Sequence, residues 1–169
     1  MNIVFRRAIP EDLEQIKDLL HKSFGFEEYT TALNIFGNSY WVAEDDGIIV
    51  AITGIVDNEF CNYVNGYEIT WTCTAKEYRR KGIMTDLLRI VINNDRFEDK
   101  PIYCSAWRFK GKEINLKSIL KELGFELLYE GRTYYKYPLY KVCEVCVEGK
   151  DGCVCYEDLY VLRDFEKFV

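Results

Sequence analysis

The chain has 169 residues, 49% of them hydrophobic, which is enough material to close the core of one domain. Its formal net charge of −6 sets the surface as a whole against nucleic acid and anionic membranes, so any anion site must be a local exception. No apolar run reaches the ~18 residues of a membrane-spanning helix, and the opening MNIVFRRAIPEDLEQ carries charge early at Arg6 and Arg7, unlike a signal peptide; the expectation is a cytoplasmic protein.

In chain order, IVFRRA over residues 3–8 reads as a strand. Pro10, Glu11 and Asp12 then open a helix with an apolar face of Leu13, Ile16, Leu19 and Leu20. YWVA (40–43) and IIVAITGI (48–55) flank Asp46-Gly47, the signature of a tight antiparallel hairpin. YEITWTCTA (67–75) is a fourth strand, rich in β-branched and aromatic residues. Ile83, Met84, Leu87, Leu88 and Val91 recur at helical spacing until Asn93-Asn94-Asp95. PIYCSAW (101–107) is a further strand, and Glu113 to Leu123 a helix stopped by Gly124. Strand, helix, strand, helix suggests one parallel pairing. FELLYE and RTYYKYPLY before the clustered cysteines, with YEDLYVL after them, read as a terminal hairpin. No repeat or Pro/Gly/Ser-rich linker points to a second domain.

The chemistry concentrates where the fourth strand meets the next helix, in EYRRKGIM. A helix start leaves its first backbone N–H groups without intrahelical partners at the positive end of the dipole, and Gly82 lets a ligand approach the backbone. Arg79, Arg80 and Lys81 add more charge than one phosphate requires, so the implied ligand is a polyphosphate such as a nucleotide tail. Neither a Walker loop nor a dinucleotide Gly-x-Gly-x-x-Gly fingerprint is present. A merely solvated helix start is the bland alternative.

This segment resembles the hallmark of the GNAT family of acyl-CoA N-acetyltransferases, Gln/Arg-x-x-Gly-x-Gly/Ala, matched at Arg79-Arg80-Lys81-Gly82-Ile83 with Met84 departing in the last place. The likeness extends to the strand–helix opening, the Asp46-Gly47 hairpin, Leu123-Gly124-Phe125 and the late Asp158-Leu159-Tyr160-Val161-Leu162 strand. It implies an α/β (α+β) fold in a single domain over residues 1–169. The central sheet would be mixed and mostly antiparallel, of about seven strands, with a parallel pair after the fourth strand and flanking helices. It implies acetyl-CoA as cosubstrate, its pyrophosphate held by the backbone around Arg80, Lys81, Gly82, Ile83, Met84 and Thr85, and its pantetheine arm paired with Thr72, Cys73 and Thr74. The Met84 side chain would crowd that cradle.

By the same resemblance the acceptor is a primary amine of a small molecule or peptide, with no nucleic acid or membrane partner, and a homodimer is compatible with it. Glu68, eleven residues before Arg79, is the candidate base, a solvated strand-end glutamate being the alternative. The tyrosine that many relatives use as general acid is replaced by Leu120; Tyr129, Tyr134 and Tyr135 are the substitutes in reach, with Tyr135 taken as the candidate. The backbone N–H near Thr74 is placed to polarise the acetyl carbonyl. His21, the only histidine, reads as a helix-surface residue.

Seven cysteines without an export signal read as reduced thiols or metal ligands. Cys143, Cys146, Cys153 and Cys155 form a knuckle over 143–155 across Gly149 and Gly152, with the spacing of a structural zinc site in the terminal hairpin; free thiols are the alternative. Met84 and Leu120 keep two other readings open, a non-catalytic acyl-CoA-binding regulatory module and a zinc-stabilised interaction domain.

Overall fold

The computed structural model describes residues 1–24, 39–56, 66–94, 100–109, 116–133 and 155–163. Its strands are β1 (Ile3–Arg7), β2 (Ser39–Asp45), β3 (Ile48–Val56), β4 (Tyr67–Thr74), β5 (Ile102–Phe109), β6 (Glu126–Thr133) and β7 (Cys155–Leu162). They form one seven-stranded sheet in the order β1-β2-β3-β4-β5-β7-β6. Its helices are α1 (Leu13–Phe24), α2 (Ile83–Asn94) and α3 (Lys117–Glu122). Every neighbouring strand pair is antiparallel except β4 with β5. That single parallel pair follows from α2, the crossover that returns the chain in the same direction.

The β2–β3 turn places Asp46 and Gly47 at φ +48° and +85°, the pair of left-handed residues that a two-residue hairpin turn demands. The sheet has a layer of helix on each face. On one face Ile16, Leu19 and Leu20 of α1 bury themselves against Tyr40, Val42, Ile49 and Ile52. On the other, Leu87, Leu88 and Val91 of α2, with Leu120 and Leu123 at α3, cover Ala51, Ile55, Ile69, Ile102 and Cys104. Arg89 ties those two helices by bonding Asp86 at 3.0 Å and Glu122 at 3.1 Å.

The β1–α1 corner is held by charge. Asp12 is buried, accepts two hydrogen bonds from the Arg6 guanidinium at 2.6 and 2.8 Å, and also accepts the Ile9 N–H at 2.9 Å. Arg6 donates in addition to Glu44 on β2. The α1 face is therefore pinned to the sheet edge by a satisfied buried carboxylate, not by apolar contact alone.

Against the sequence reading, one strand runs longer and two expected stretches lie partly outside the described residues. β5 runs on to Phe109, because its far half pairs with β7 along its whole length. The last helix is seen from Lys117, and the expected start at Glu113 lies outside the described residues. β6 ends at Thr133, so Tyr134, Tyr135 and the rest of RTYYKYPLY also lie outside them, as do Cys143, Cys146 and Cys153. Cys155 is the first residue of β7.

Candidate active site

β4 and β5 are paired at three positions only, Tyr67 with Ile102, Glu68 with Tyr103 and Ile69 with Cys104. Both strands continue, β4 through Thr74 and β5 through Phe109, so the sheet opens into a wedge with residues 70–74 on one wall and 105–109 on the other. A local feature of β4 accounts for the parting. Ile52 stands opposite Cys73 and Gly54 opposite Thr70, so Thr53 alone faces both Trp71 and Thr72. The extra residue is a bulge, with Trp71 at φ +50°, and a bulge bends its strand. Trp71 packs edge-on against Phe24 at 6.1 Å and against the α1-side core, and the Thr53 and Thr72 hydroxyls meet at 2.7 Å.

The bulge also inverts the strand's alternation. Ile69 and Cys73 are four residues apart and should share a face, yet Ile69 lies in the α2 core and Cys73 in the α1 core. Beyond the last β4–β5 pair, the edge of β4 at Thr72, Cys73 and Thr74 presents strand backbone toward the wedge, where an extended amide-bearing chain can pair with it.

At the far end of β4 the chain turns through a 3-10 turn, Lys76–Tyr78, and then through Arg80 at φ +60° and Gly82 at φ +79° before α2 begins. Of the two, only Gly82 takes this conformation without cost; a Cβ there would meet the Asp86 Oδ2 at 3.9 Å, an ordinary contact, so the backbone and not crowding demands glycine. The first bond of α2 runs from the Asp86 N–H to the Gly82 carbonyl at 3.0 Å. The N–H groups of Ile83, Met84 and Thr85 therefore precede any intrahelical acceptor. Alternating left-handed residues just ahead of a helix start gather amide N–H groups into an anion-binding concavity.

Arg79, Arg80 and Lys81 are all exposed around this cradle. The Arg79 Nε donates to the Thr74 carbonyl at 3.0 Å, fastening the turn to the end of β4. Lys81 lies 5.0 Å from the centre of the Tyr78 ring, and the Tyr78 hydroxyl donates to Asp45 at 2.9 Å. On the α1 side a groove of about 430 Å³ borders the same turn, lined by Gln15, Asp18, Lys22, Ser23, Ala75 and Arg79 among others.

Met84 does not crowd the cradle. Its side chain is 7% exposed and packs in the core with Leu87 and Leu88, because the second residue of α2 points at the sheet, and only its backbone faces the turn. The expected crowding is thus corrected.

Glu68 stands at the closed end of the wedge. Its neighbour Ile69 is in the α2 core, so Glu68 faces the α1 side, as does Thr70, whose side chain is hydrogen-bonded to the Tyr40 hydroxyl. Tyr40 reaches Thr70 from β2 across Gly54, where a Cβ would come within 2.5 Å of its ring. Burial, with the nearby Glu68 charge adding to it, holds the Tyr40 phenol well above its ordinary value, so it stays protonated. Burial likewise pushes the Cys73 thiol up to about 11, against the pull of Ser23 and Arg79; it contributes backbone, not a thiolate nucleophile.

Leu120 is fully buried among α2 and sheet residues, which explains why a leucine stands there. Tyr129 is 56% exposed on the edge strand β6, and Tyr135 lies outside the described residues. His21 is exposed on α1. Among the described residues no group of three or more His, Cys, Asp or Glu is arranged to hold a metal; three of the four knuckle cysteines lie outside them. No described helix is long and apolar enough to cross a membrane.

The sequence reading missed Tyr40, and with it Ser105 and Glu157. Ser105, the first β5 residue past the last β4–β5 pair, donates its hydroxyl to Glu157 on β7. The alternation of PIYCSAW, with Ile102, Cys104 and Ala106 apolar, was the available signal that Ser105 faces away from the core.

A family model described as Acetyltransferase (GNAT) family matches residues 10–125. Comparison with curated protein sequences gives no match. Among solved structures, diaminobutyrate acetyltransferase EctA from Paenibacillus lautus, in complex with L-2,4-diaminobutyric acid and coenzyme A, superposes with a TM-score of 0.68 at 18% identity, covering 97% of this chain and 96% of that one. Arabidopsis thaliana NAA60, in complex with a bisubstrate analogue, gives 0.68 at 17% identity and coverages of 95% and 98%. Salmonella typhimurium yncA with its cofactor acetyl-CoA gives 0.66 at 13% identity and coverages of 96% and 94%. With the family model spanning more than half of its length, and a split sheet ending in an amide cradle, this chain belongs to the GNAT acetyltransferase family.

Proposed function

We propose that the protein transfers an acetyl group from acetyl-CoA to a primary amine of a small molecule or peptide. The observation that carries this reading is the continuity of three features along β4: Glu68 at the apex of the wedge, strand backbone at Thr72, Cys73 and Thr74 along its wall, and the Arg79–Thr85 cradle at its end. Their order matches the parts of an acyl-CoA, which carries its thioester, its amide-bearing pantetheine and its pyrophosphate in that sequence. The pyrophosphate would meet the amides of Gly82, Ile83, Met84 and Thr85, with Arg79, Arg80 and Lys81 supplying charge.

Thus seated, the thioester reaches the closed end of the wedge, where Glu68 can take a proton from the incoming amine directly or through one water. Thr74, expected to polarise the acyl oxygen, stands at the cradle end of that wall, so on this reading its backbone serves the pantetheine arm and not the thioester. With Leu120 in the core, the departing thiolate takes its proton from solvent or from the proton lost by the amine. The diaminobutyrate held by the Paenibacillus lautus enzyme supports a small amine as acceptor class.

The test is a panel of mono-, di- and polyamines, amino acids and N-terminal peptides, read out as free CoA thiol. Glu68→Gln should lower turnover about a hundredfold with little change in acetyl-CoA affinity. Acetyl-CoA binding without CoA release on any amine would instead favour the non-catalytic acyl-CoA-binding reading.

A further inference from the structure

A primary amine arrives at neutral pH as an ammonium ion and must shed two protons on the way to an amide, one before it attacks and one after. A single carboxylate serves the first. The wedge holds a second proton acceptor on the same side of the sheet as Glu68.

Along β5, Ile102, Cys104 and Ala106 lie in the α2 core, which turns Tyr103 and Ser105 to the opposite face. Glu68 is in register with Tyr103 and shares that face. On β7, Tyr160 and Leu162 join the α2 core, so Glu157 and Leu159 lie on the face of Ser105. Glu157 is 6% exposed, one of four buried polar side chains among the described residues. Asp12 and Asp158 each accept a backbone N–H, from Ile9 and Gly131, and Thr53 meets Thr72. Glu157 accepts a side-chain hydroxyl that stands where β5 parts from β4, at the closed end of the wedge. Burial first, and then the charges of Glu68 and Glu157, push the thiol of Cys104, the residue before Ser105, up to about 12. In register, Glu68 stands opposite Tyr103 on β5, and position 157 of β7 stands opposite position 132 of β6.

We propose that Ser105 and Glu157 form a proton relay for acetyl transfer, Ser105 touching the acceptor nitrogen and Glu157 receiving the proton behind it. The inference rests on the acetyl-transfer reading above. Glu68 takes the first proton and frees the nitrogen lone pair. The nitrogen then forms its bond to the acyl carbon, and as the C–S bond breaks the electron pair leaves on sulfur. The second nitrogen proton passes to Ser105 Oγ while the serine's own proton passes to Glu157 Oε1. The products are the amide, the CoA thiolate and two protons, one on each carboxylate, from which thiolate and solvent collect them. A serine hydroxyl is far too weak a base to hold that proton by itself; the carboxylate at its back is what makes the relay work.

The experiment measures steady-state acetylation of the best amine from the panel by wild type, Ser105→Ala, Glu157→Gln, the double variant and Ser105→Thr. Acetyl-CoA affinity by calorimetry and melting temperature are measured for each. The relay predicts about a hundredfold loss of kcat in either single variant, no further loss in the double variant, and recovery in Ser105→Thr, at unchanged acetyl-CoA affinity. It also predicts that the acidic limb of the kcat profile moves in Glu157→Gln, which a purely structural role would not do. Ser105→Ala turning over like wild type, or single losses that multiply in the double variant, overturns the relay and leaves acetyl transfer standing. A loss confined to melting temperature overturns it as well. A wild type that binds acetyl-CoA but acetylates nothing overturns the acetyl-transfer reading, and the relay with it.

Discussion

Up to Ile69, β4 is bonded on both edges, to β3 and to β5; from Thr70 onward the register gives it β3 alone. The first half sends Ile69 into the α2 core, and the second, after the Trp71 bulge, sends Cys73 into the α1 core. One strand therefore does two jobs. Its zipped half is ordinary sheet, held by ladders and apolar burial. Its open half gives up one ladder and carries a left-handed tryptophan, and so leaves one backbone edge unladdered. The difference teaches that the wedge is built by a one-residue insertion in pairing, not by a separate loop or domain.

If that division is real, the two halves should respond differently to substitution. The largest effect on stability belongs to the zipped half. Ile69 is 5% exposed in the α2 core, and Ile69→Ala should cost about 2–5 kcal/mol of unfolding free energy by the transfer and cavity terms. Chemical denaturation measures it, and calorimetry on the folded fraction should find acetyl-CoA affinity close to wild type. An Ile69→Ala protein that is stable but no longer binds would merge the two halves.

A control away from β4 comes next. Burial pulls the Asp12 carboxyl up, but the Arg6 guanidinium and the Ile9 amide outweigh it and hold the group below its ordinary 3.8. A carboxylate with a depressed folded value adds stability that is complete above the ordinary value and is lost as pH falls through the folded one. Asp12→Asn should therefore lower stability by about 1–3 kcal/mol at neutral pH. The gap to wild type should narrow below pH 3.8. Acid titration of both proteins by circular dichroism checks the sign, and ligand binding should be indifferent.

The cradle at the end of the open half should behave in the opposite way. Arg79→Ala with Arg80→Ala should weaken acetyl-CoA binding about tenfold or more and flatten its dependence on salt, while the melting temperature barely moves. Binding as tight as wild type at low salt would detach the cradle from the wedge.

Much of this division was legible in the residues, and the part that was not has a physical reason. The helix start at Gly82, the Asp46-Gly47 turn and the periodicity of α2 are local signals, each decided by residues within one turn of chain. So the cradle and the element order could be read directly. The bulge could not, because YEITWTCT carries no glycine or proline to mark it; it exists only in the register against Thr53 on β3. With the bulge unseen, plain alternation puts Ile69 and Cys73 on one face. Tyr40, Ser105 and Glu157 were missed for the same reason, since they meet the site from three other strands. Leu120 was noticed as a departure, but its full burial behind α2 needed the packed core. Met84 shows the converse error: a side chain judged from its place in a motif, when helix geometry turns it inward.

The finest test of the comparison is the hydroxyl pair that holds the bulge. Thr53 is fully buried and its Oγ1 lies 2.7 Å from that of Thr72, at the point where one residue of β3 serves two of β4. Thr72→Val keeps shape and β propensity but strands the Thr53 hydroxyl, and a buried hydroxyl left without its partner should cost about 1 kcal/mol. Replacing both threonines by valine removes the stranded group along with its partner, so the double variant should recover most of that loss. If the pair also fixes where β4 leaves β5, the double variant will regain stability without regaining acetyl-CoA affinity, since Trp71 then keeps only its packing against Phe24 and the α1-side core to hold its left-handed conformation. Denaturation and calorimetry on the same three proteins separate these outcomes. Full recovery of both quantities would assign the bend to Trp71 and Phe24 alone.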